Sequence, residues 1–134
     1  MAQFPTPEWV KVFSDKLNSD AQYAEIAKNW EGDVVLSIDP GGSLTEKFVV
    51  YFDLWHGSCR EAKILDSGTD KKAVLSLSGT YENYSRIIKG ELNPMQAMLT
   101  RKLSVKGDLG LLMRSVPTVL DFVRCAQEIT DSYI

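Results

Sequence analysis

Apolar positions in the first thirty residues recur at the spacing of helices. Trp9, Val10, Phe13 and Leu17 fall on one face, and Tyr23, Ile26, Ala27 and Trp30 repeat at i, i+3, i+4 and i+7. Thr6 precedes Pro7, a pairing that caps the first helix and puts proline where its missing N–H costs nothing. Ser19 or Asp20 can cap the second helix, and Gly32 is expected to end it. The period then drops to two. Val34, Val35, Leu36 and Ile38 form a strand, and Asp39-Pro40-Gly41-Gly42-Ser43 forms a turn. Phe48 to Trp55 is the strongest strand signal, rich in β-branched and aromatic residues. Alternation sets Phe48, Val50, Phe52 and Leu54 on one face, and Lys47, Val49, Tyr51, Asp53 and Trp55 on a more polar one. His56-Gly57 turns the chain into a third strand near Cys59 to Leu65, with Ala62 and Ile64 on its apolar side. A loop over Asp66-Ser67-Gly68-Thr69-Asp70 leads to a fourth strand, Ala73 to Leu77.

Helical spacing returns at Thr80 to Lys89, closed by Gly90. Asn93-Pro94-Met95-Gln96 opens another helix, with Asn93 as cap, and Met95, Met98 and Leu99 on one side. Leu103 to Lys106 is a fifth, short strand, broken by Gly107-Asp108. Asp108 can cap a short apolar helix from Leu109 to Arg114. Ser115-Val116-Pro117 starts the last helix, with Val116, Val119, Leu120, Val123, Ala126 and Ile129 as a broad apolar face. Strands joined by tight turns predict an antiparallel meander of four strands, hence an α+β fold with helices on one face of the sheet.

Composition narrows the function more than the fold. The 134 residues are the size of one domain, and 44% hydrophobic content is enough for a real core. A net charge of -3 argues against general nucleic-acid binding, which needs clustered cations; only Lys71-Lys72 and Arg101-Lys102 pair up. No apolar run approaches a membrane span of ~20 residues, so no integral membrane association is expected. The residues Met1 to Pro5 lack the basic and apolar regions of a secretory leader, and Cys59 and Cys125 stand far apart. Two reduced thiols in a cytoplasmic protein are the expectation.

Candidate chemistry is sparse. His56 is the one histidine, and no Cys/His spacing suggests a metal. Neither Gly41-Gly42 nor Gly107-Asp108-Leu109-Gly110 has a nucleotide-binding pattern. Met95, Met98, Leu99, Leu109, Leu111, Leu112 and Met113 crowd a short stretch of helices. Composition alone favours ordinary core for these residues; the functional alternative is a greasy cavity in which flexible methionine adapts to ligand shape.

The stretch from Gly90 to Leu112 resembles the signature of the sterol carrier protein 2 family. It has a glycine, a proline-containing short helix, then Lys102-Leu103-Ser104-Val105-Lys106-Gly107-Asp108 as strand and turn, then an apolar helix. Phe52-Asp53-Leu54-Trp55-His56-Gly57 is similar to an early strand of the family and its turn, and the match in order runs roughly from residue 20 to 130. The resemblance implies one domain over 1–134 with a five-stranded, mostly antiparallel sheet, helices on one face and an apolar tunnel between them. It implies binding or transfer of a fatty acid, fatty acyl-CoA or other lipid without catalysis, cofactor or metal. Carried over by position, Met95, Met98, Leu99, Leu109, Leu112 and Met113 would line or gate the tunnel. Phe48, Val50, Phe52 and Leu54 would form its sheet wall, and Leu120 with Val123 would close it. Arg101 and the bulky Leu112-Met113 pair favour an acyl chain over a sterol. Two other readings stay open. One is an accessory subunit with a side-chain-filled tunnel, meeting a protein partner or a second copy. The other is an enzyme on lipid thioesters using His56 or Cys59.

Overall fold

The computed structural model describes residues 1–66 and 71–134; the expected loop lies, from Ser67 to Asp70, outside the described residues. In chain order the elements are β1 (Ala2–Phe4), α1 (Pro7–Ser19), α2 (Ala21–Ile26), β2 (Glu31–Asp39), β3 (Phe48–Trp55), β4 (Ser58–Leu65) and β5 (Leu75–Thr80). They continue with α3 (Tyr81–Ile88), α4 (Pro94–Leu99), β6 (Leu103–Gly107), α5 (Leu109–Arg114), α6 (Val116–Ile129) and β7 (Thr130–Tyr133). The helix starts follow the capping chemistry. Side chains of Thr6, Asp20, Thr80, Asn93 and Asp108 each accept from a backbone N–H in the first turn of the helix that follows.

The main sheet is α+β in character, with order β4-β3-β2-β5-β6. Its β2–β3, β3–β4 and β5–β6 pairs are antiparallel, and β2–β5 is parallel. The expected four-strand meander therefore holds only through β4. The fourth strand crosses back to lie beside β2, because its apolar residues Leu75 and Leu77 are buried at the sheet centre. The exposed and charged β4, with Arg60, Glu61 and Lys63 open to solvent, is left at an edge. A bulge at Arg60, where Leu54 faces Cys59 and Asp53 faces Glu61, lets Cys59 and Ala62 share the core face.

Three boundaries differ from the sequence expectation. The second helix stops at Ile26 rather than Gly32. Trp30 turns inward, its N–H bonding Ala27 O at 2.9 Å and its Nε1 donating to Gly32 O at 2.8 Å, and Gly32 joins β2. The fourth strand runs Leu75–Thr80 rather than from Ala73. The terminal strands β1 and β7, unmarked in sequence, pair in parallel, with Trp9 Nε1 donating to Thr130 Oγ1 at 2.8 Å.

The core lies between the helices and one face of the sheet. The opposite face is not simply polar. Val35, Val49 and Tyr51 are buried there against Leu65 and Ala73. The Tyr51 hydroxyl donates to Asp33 at 2.9 Å, and burial together with Asp33 pushes its phenol up to about 12. Gly107 shows why the strand-to-helix turn after β6 needs glycine. Its φ is +117°, and an added Cβ would stand 2.0 Å from Val74 O. Gly107→Ala is expected to cost roughly 2–3 kcal/mol, measured by urea unfolding, because both the backbone angle and the Val74 carbonyl beside β5 resist it.

Candidate functional site

An apolar cavity of about 100 Å³ sits between the sheet and the helices. Its floor is the core face of the sheet: Val34 and Leu36 of β2, Leu54 of β3, Leu75 and Leu77 of β5, and Leu103 of β6. Trp9 and Phe13 of α1, Tyr23 of α2 and the α3 residues Tyr84, Ile87 and Ile88 wall one part. Met98 of α4, Leu112 of α5 and Val119, Phe122, Val123 and Ala126 of α6 wall another. Amphipathic spacing explains the wall: each helix turns its apolar stripe to the sheet.

Four lining residues, Trp9, Trp30, Tyr84 and Thr118, give their side-chain polar groups to protein partners. Tyr84 OH donates to Leu77 O at 3.0 Å, and burial holds its phenol well above the usual tyrosine range. Trp9 and Trp30 spend their indole N–H groups on Thr130 and Gly32, and the Thr118 hydroxyl donates to Ile26 O at 3.3 Å. What remains facing the cavity is almost wholly hydrocarbon. Such a space can exclude water and hold an apolar group.

Of the residues the family resemblance places at the site, Leu54, Met98, Leu112 and Val123 line this cavity. Val50 and Phe52 share Leu54's face but are fully buried, and Phe52 is sealed by Phe13 and Phe122 with ring centroids 5.4 and 5.7 Å away. Phe48 packs against the same core half-buried, and Met95 is half-buried on α4. Leu99, Leu109, Met113 and Leu120 face solvent, at 79%, 53%, 61% and 41% exposure. The last helix keeps Val119, Val123, Ala126 and Ile129 on its core side as expected, adds Phe122 and Cys125 to it, and turns Leu120 out. The β5 wall and α3 were missed because strand adjacency is not written in local periodicity. Tyr23, Trp30 and Phe13 were visible as stripe residues with nothing to mark them as cavity walls.

Other candidate chemistry resolves into structure. Asp20, Asp121 and Cys125 bring potential metal-ligating atoms within 4.8 Å of one another. A guanidinium fills that role: Arg124 Nη2 donates to Asp20 at 2.6 Å, its Nε to Asp121 at 2.7 Å and its Nη1 to Glu128 at 2.7 Å. Lys16 adds bonds to Asp20 at 3.0 Å and Glu128 at 2.9 Å, and Gln22 donates to Asp121 at 2.8 Å. The Arg124 side chain holds the Asp20 carboxyl well below the usual carboxylate range. Burial pushes the Cys125 thiol up to about 11 and raises Cys59 as well, the opposite of an activated nucleophile. Cys59 meets Ser14 and Glu61 O, whereas His56 pairs with Glu31 at 2.6 Å on the surface. A second depression of about 260 Å³ between α1 and β4 is an open groove rimmed by Lys11, Asp15 and Lys63. No helix among the described residues is long and apolar enough to cross a membrane.

The sequence pattern of the SCP-2 sterol transfer family matches residues 11–119. A crystal structure of sterol carrier protein 2 superposes with a TM-score of 0.84 at 26% identity, covering 93% of this chain and 98% of that one. The solution structure of a conserved protein from Thermus thermophilus, described as possibly a sterol carrier protein, gives 0.84 at 26% identity over 95% and 90%. The solution structure of Sterol Carrier Protein-2 from Aedes aegypti, in complex with the C16 fatty acid palmitate, gives 0.55 at 19% identity over 88% and 93%, a likeness of fold. No curated protein matches the chain significantly in sequence. With the family pattern spanning most of its length, the chain belongs to the SCP-2 sterol transfer family.

Proposed function

We propose that this chain binds and carries one long acyl chain, as a fatty acid or fatty acyl-CoA, and releases it chemically unchanged. The observation that carries the reading is the hydrocarbon-lined cavity, where Tyr84 and Trp30 give their polar groups to protein partners. The Aedes aegypti structure of the same fold holds palmitate, which makes that ligand the natural first probe.

The entrance is assigned to α4 and α5. Leu99 and Met113 are exposed and follow the lining residues Met98 and Leu112 directly in the chain, and Leu109 is exposed at the start of α5. The sequence around them is basic: Arg101, Lys102, Lys106 and Arg114 fall between Glu91 and Asp121, a stretch in which Asp108 is the one acid. An anionic head, carboxylate or phosphate, is held at this basic lip while the chain enters. The cavity of about 100 Å³ is smaller than the ~150 Å³ that holds one benzene ring, so the short helices α4 and α5 must shift outward as the chain loads. Its small volume also favours a second reading, an accessory module whose cavity is closed by its own side chains and whose exposed lip meets another protein.

Lipid extraction of the purified protein followed by mass spectrometry, with palmitate titration in a thermal-shift assay, separates the two. Carriage of an acyl chain requires a co-purified lipid or a melting temperature that rises with palmitate, by about 2.7 kcal/mol of added stability at 100-fold over Kd. No extracted lipid together with no shift at any chain length rejects it and leaves the accessory reading.

A further inference from the structure

The β4 edge of the main sheet is covered at one point and open beside it. Among the described residues β4 pairs with β3 alone. At Cys59 its backbone groups face outward, and α1 covers them. The Cys59 N–H donates to Asn18 Oδ1 at 2.7 Å, and Asn18 Nδ2 donates to Cys59 O at 2.9 Å. Outward and inward groups alternate along an antiparallel strand. Past the bulge at Arg60 and Glu61, the outward positions therefore fall to Ala62 and Ile64. No hydrogen bond among the described residues takes up their outward N–H and C=O groups. Ile64 is also 43% exposed and lines the groove between α1 and β4 with Val10 and Lys11.

We propose that a second copy of this chain fills the open edge, its β4 pairing antiparallel with this one about a two-fold axis through Ala62. An axis normal to the sheet keeps each side chain on its own face. Residues set opposite one another then share a face, and the axis runs through a single residue. Charge chooses which residue. Glu61 and Lys63 lie on the outer face with Tyr51, half-exposed and 3.5 Å apart. An axis through Glu61 sets that carboxylate against its own copy, and an axis through Lys63 sets two ammonium groups face to face; both arrangements repel. An axis through Ala62 sets Glu61 of each copy opposite Lys63 of the other, and Ala62 exchanges N–H···O bonds with its own copy. Charged residues on an edge strand ordinarily keep copies apart. Here their order admits one register. Arg60 does not compete, because Asp53 holds it at 3.1 Å and it stacks on Trp55 at 4.6 Å. In this register Leu65 would next meet Cys59, which Asn18 already occupies, so pairing stops there at both ends. The contact is confined to Arg60–Ile64 of each copy and covers the exposed Ile64. It does not rest on the acyl-chain reading.

So short a contact belongs with the weak interfaces, those under ~1,200 Å², and forms at high protein concentration. The test is sedimentation equilibrium of the full chain at low salt, up to about 1 mM protein, where exposed charge pairs are least screened. The average mass of the parent should rise with concentration towards that of two chains. Glu61→Lys and Lys63→Glu each make both cross-strand pairs repulsive, and each is expected to weaken self-association about tenfold or more. An equimolar mixture of the two variants sets lysine opposite glutamate again in both pairs. It should associate within about threefold of the parent, a rescue that damage to the fold cannot imitate. A parent that stays monomeric at about 1 mM overturns the proposal, as does undiminished association of either variant alone or a mixture that associates no better than its components. None of these outcomes bears on acyl-chain binding.

Discussion

Arg124→Leu is expected to lower the unfolding free energy by about 3–5 kcal/mol, the cost of leaving a buried charge without its partner. That is a large share of the roughly 5–15 kcal/mol typical of a domain. Arg124 Nη2, Nε and Nη1 reach Asp20, Asp121 and Glu128, and so tie the start of α2 to α6. The Asp121 side chain is 5% exposed and would keep only Gln22; the Asp20 side chain is 10% exposed and would keep Lys16 and the Tyr23 N–H. Lysine cannot restore the site, because one ammonium cannot reproduce a planar fork bonded to three carboxylates. The pH dependence separates charge from packing. In the parent, Asp20 is held below its unfolded value by Arg124, so its contribution is fully present above about pH 4 and is lost as acid protonates it. In the variant, Asp20 loses the guanidinium that holds its carboxyl down and takes up a proton more readily than in the parent, so acidification relieves it. Urea unfolding at about pH 7 and about pH 4.5 should show the gap between the two proteins narrowing at the lower pH. A gap of the same size at both would assign the loss to packing instead.

The local signals in the sequence were reliable where one or two residues decide the backbone. Thr6-Pro7, Asn93-Pro94 and Asp108 mark helix starts in the sequence and cap helices in the structure. Phe48 to Trp55 alternates as expected because a strand with one face on a core must. What periodicity lacked was the partner of each element. Nothing in Leu75 to Thr80 says that it lies parallel to β2, yet that placement builds much of the cavity floor. Helix rotation is similarly decided by contact. An apolar face drawn through Leu120 and Val123 is a fair reading of α6 alone. Phe13 and Phe52, however, take Phe122 into the core, and that turns Leu120 out. The Met and Leu crowding of residues 95–113 contained both outcomes at once: Met98 and Leu112 became cavity wall, and Leu99 and Met113 became exposed rim.

The position of Val123 on α6 allows the cavity to be closed or widened without touching its rim. Val123→Phe places a ring into the space of about 100 Å³. An empty cavity of that size costs about 2.4 kcal/mol at ~24 cal/mol per Å³, and overpacking strain runs at about 1–3 kcal/mol, so the two nearly cancel. The melting temperature should stay within a few degrees of the parent's. Ligand binding should not survive as well. Excluding three methylenes of an acyl chain forfeits about 2.4 kcal/mol at ~0.8 kcal/mol each, roughly a 50-fold weaker Kd. Val123→Ala has the opposite signature. It enlarges the cavity and lowers the stability of the free protein by about 1–2 kcal/mol, yet it keeps palmitate binding and increases the rise in melting temperature that palmitate produces. Stability and affinity therefore move apart in opposite directions in the two variants, which damage to the fold cannot imitate. Calorimetric titration of palmitate into both decides the matter. If Val123→Phe holds palmitate within about threefold of the parent, the acyl chain lies somewhere other than between β2, β5 and α6.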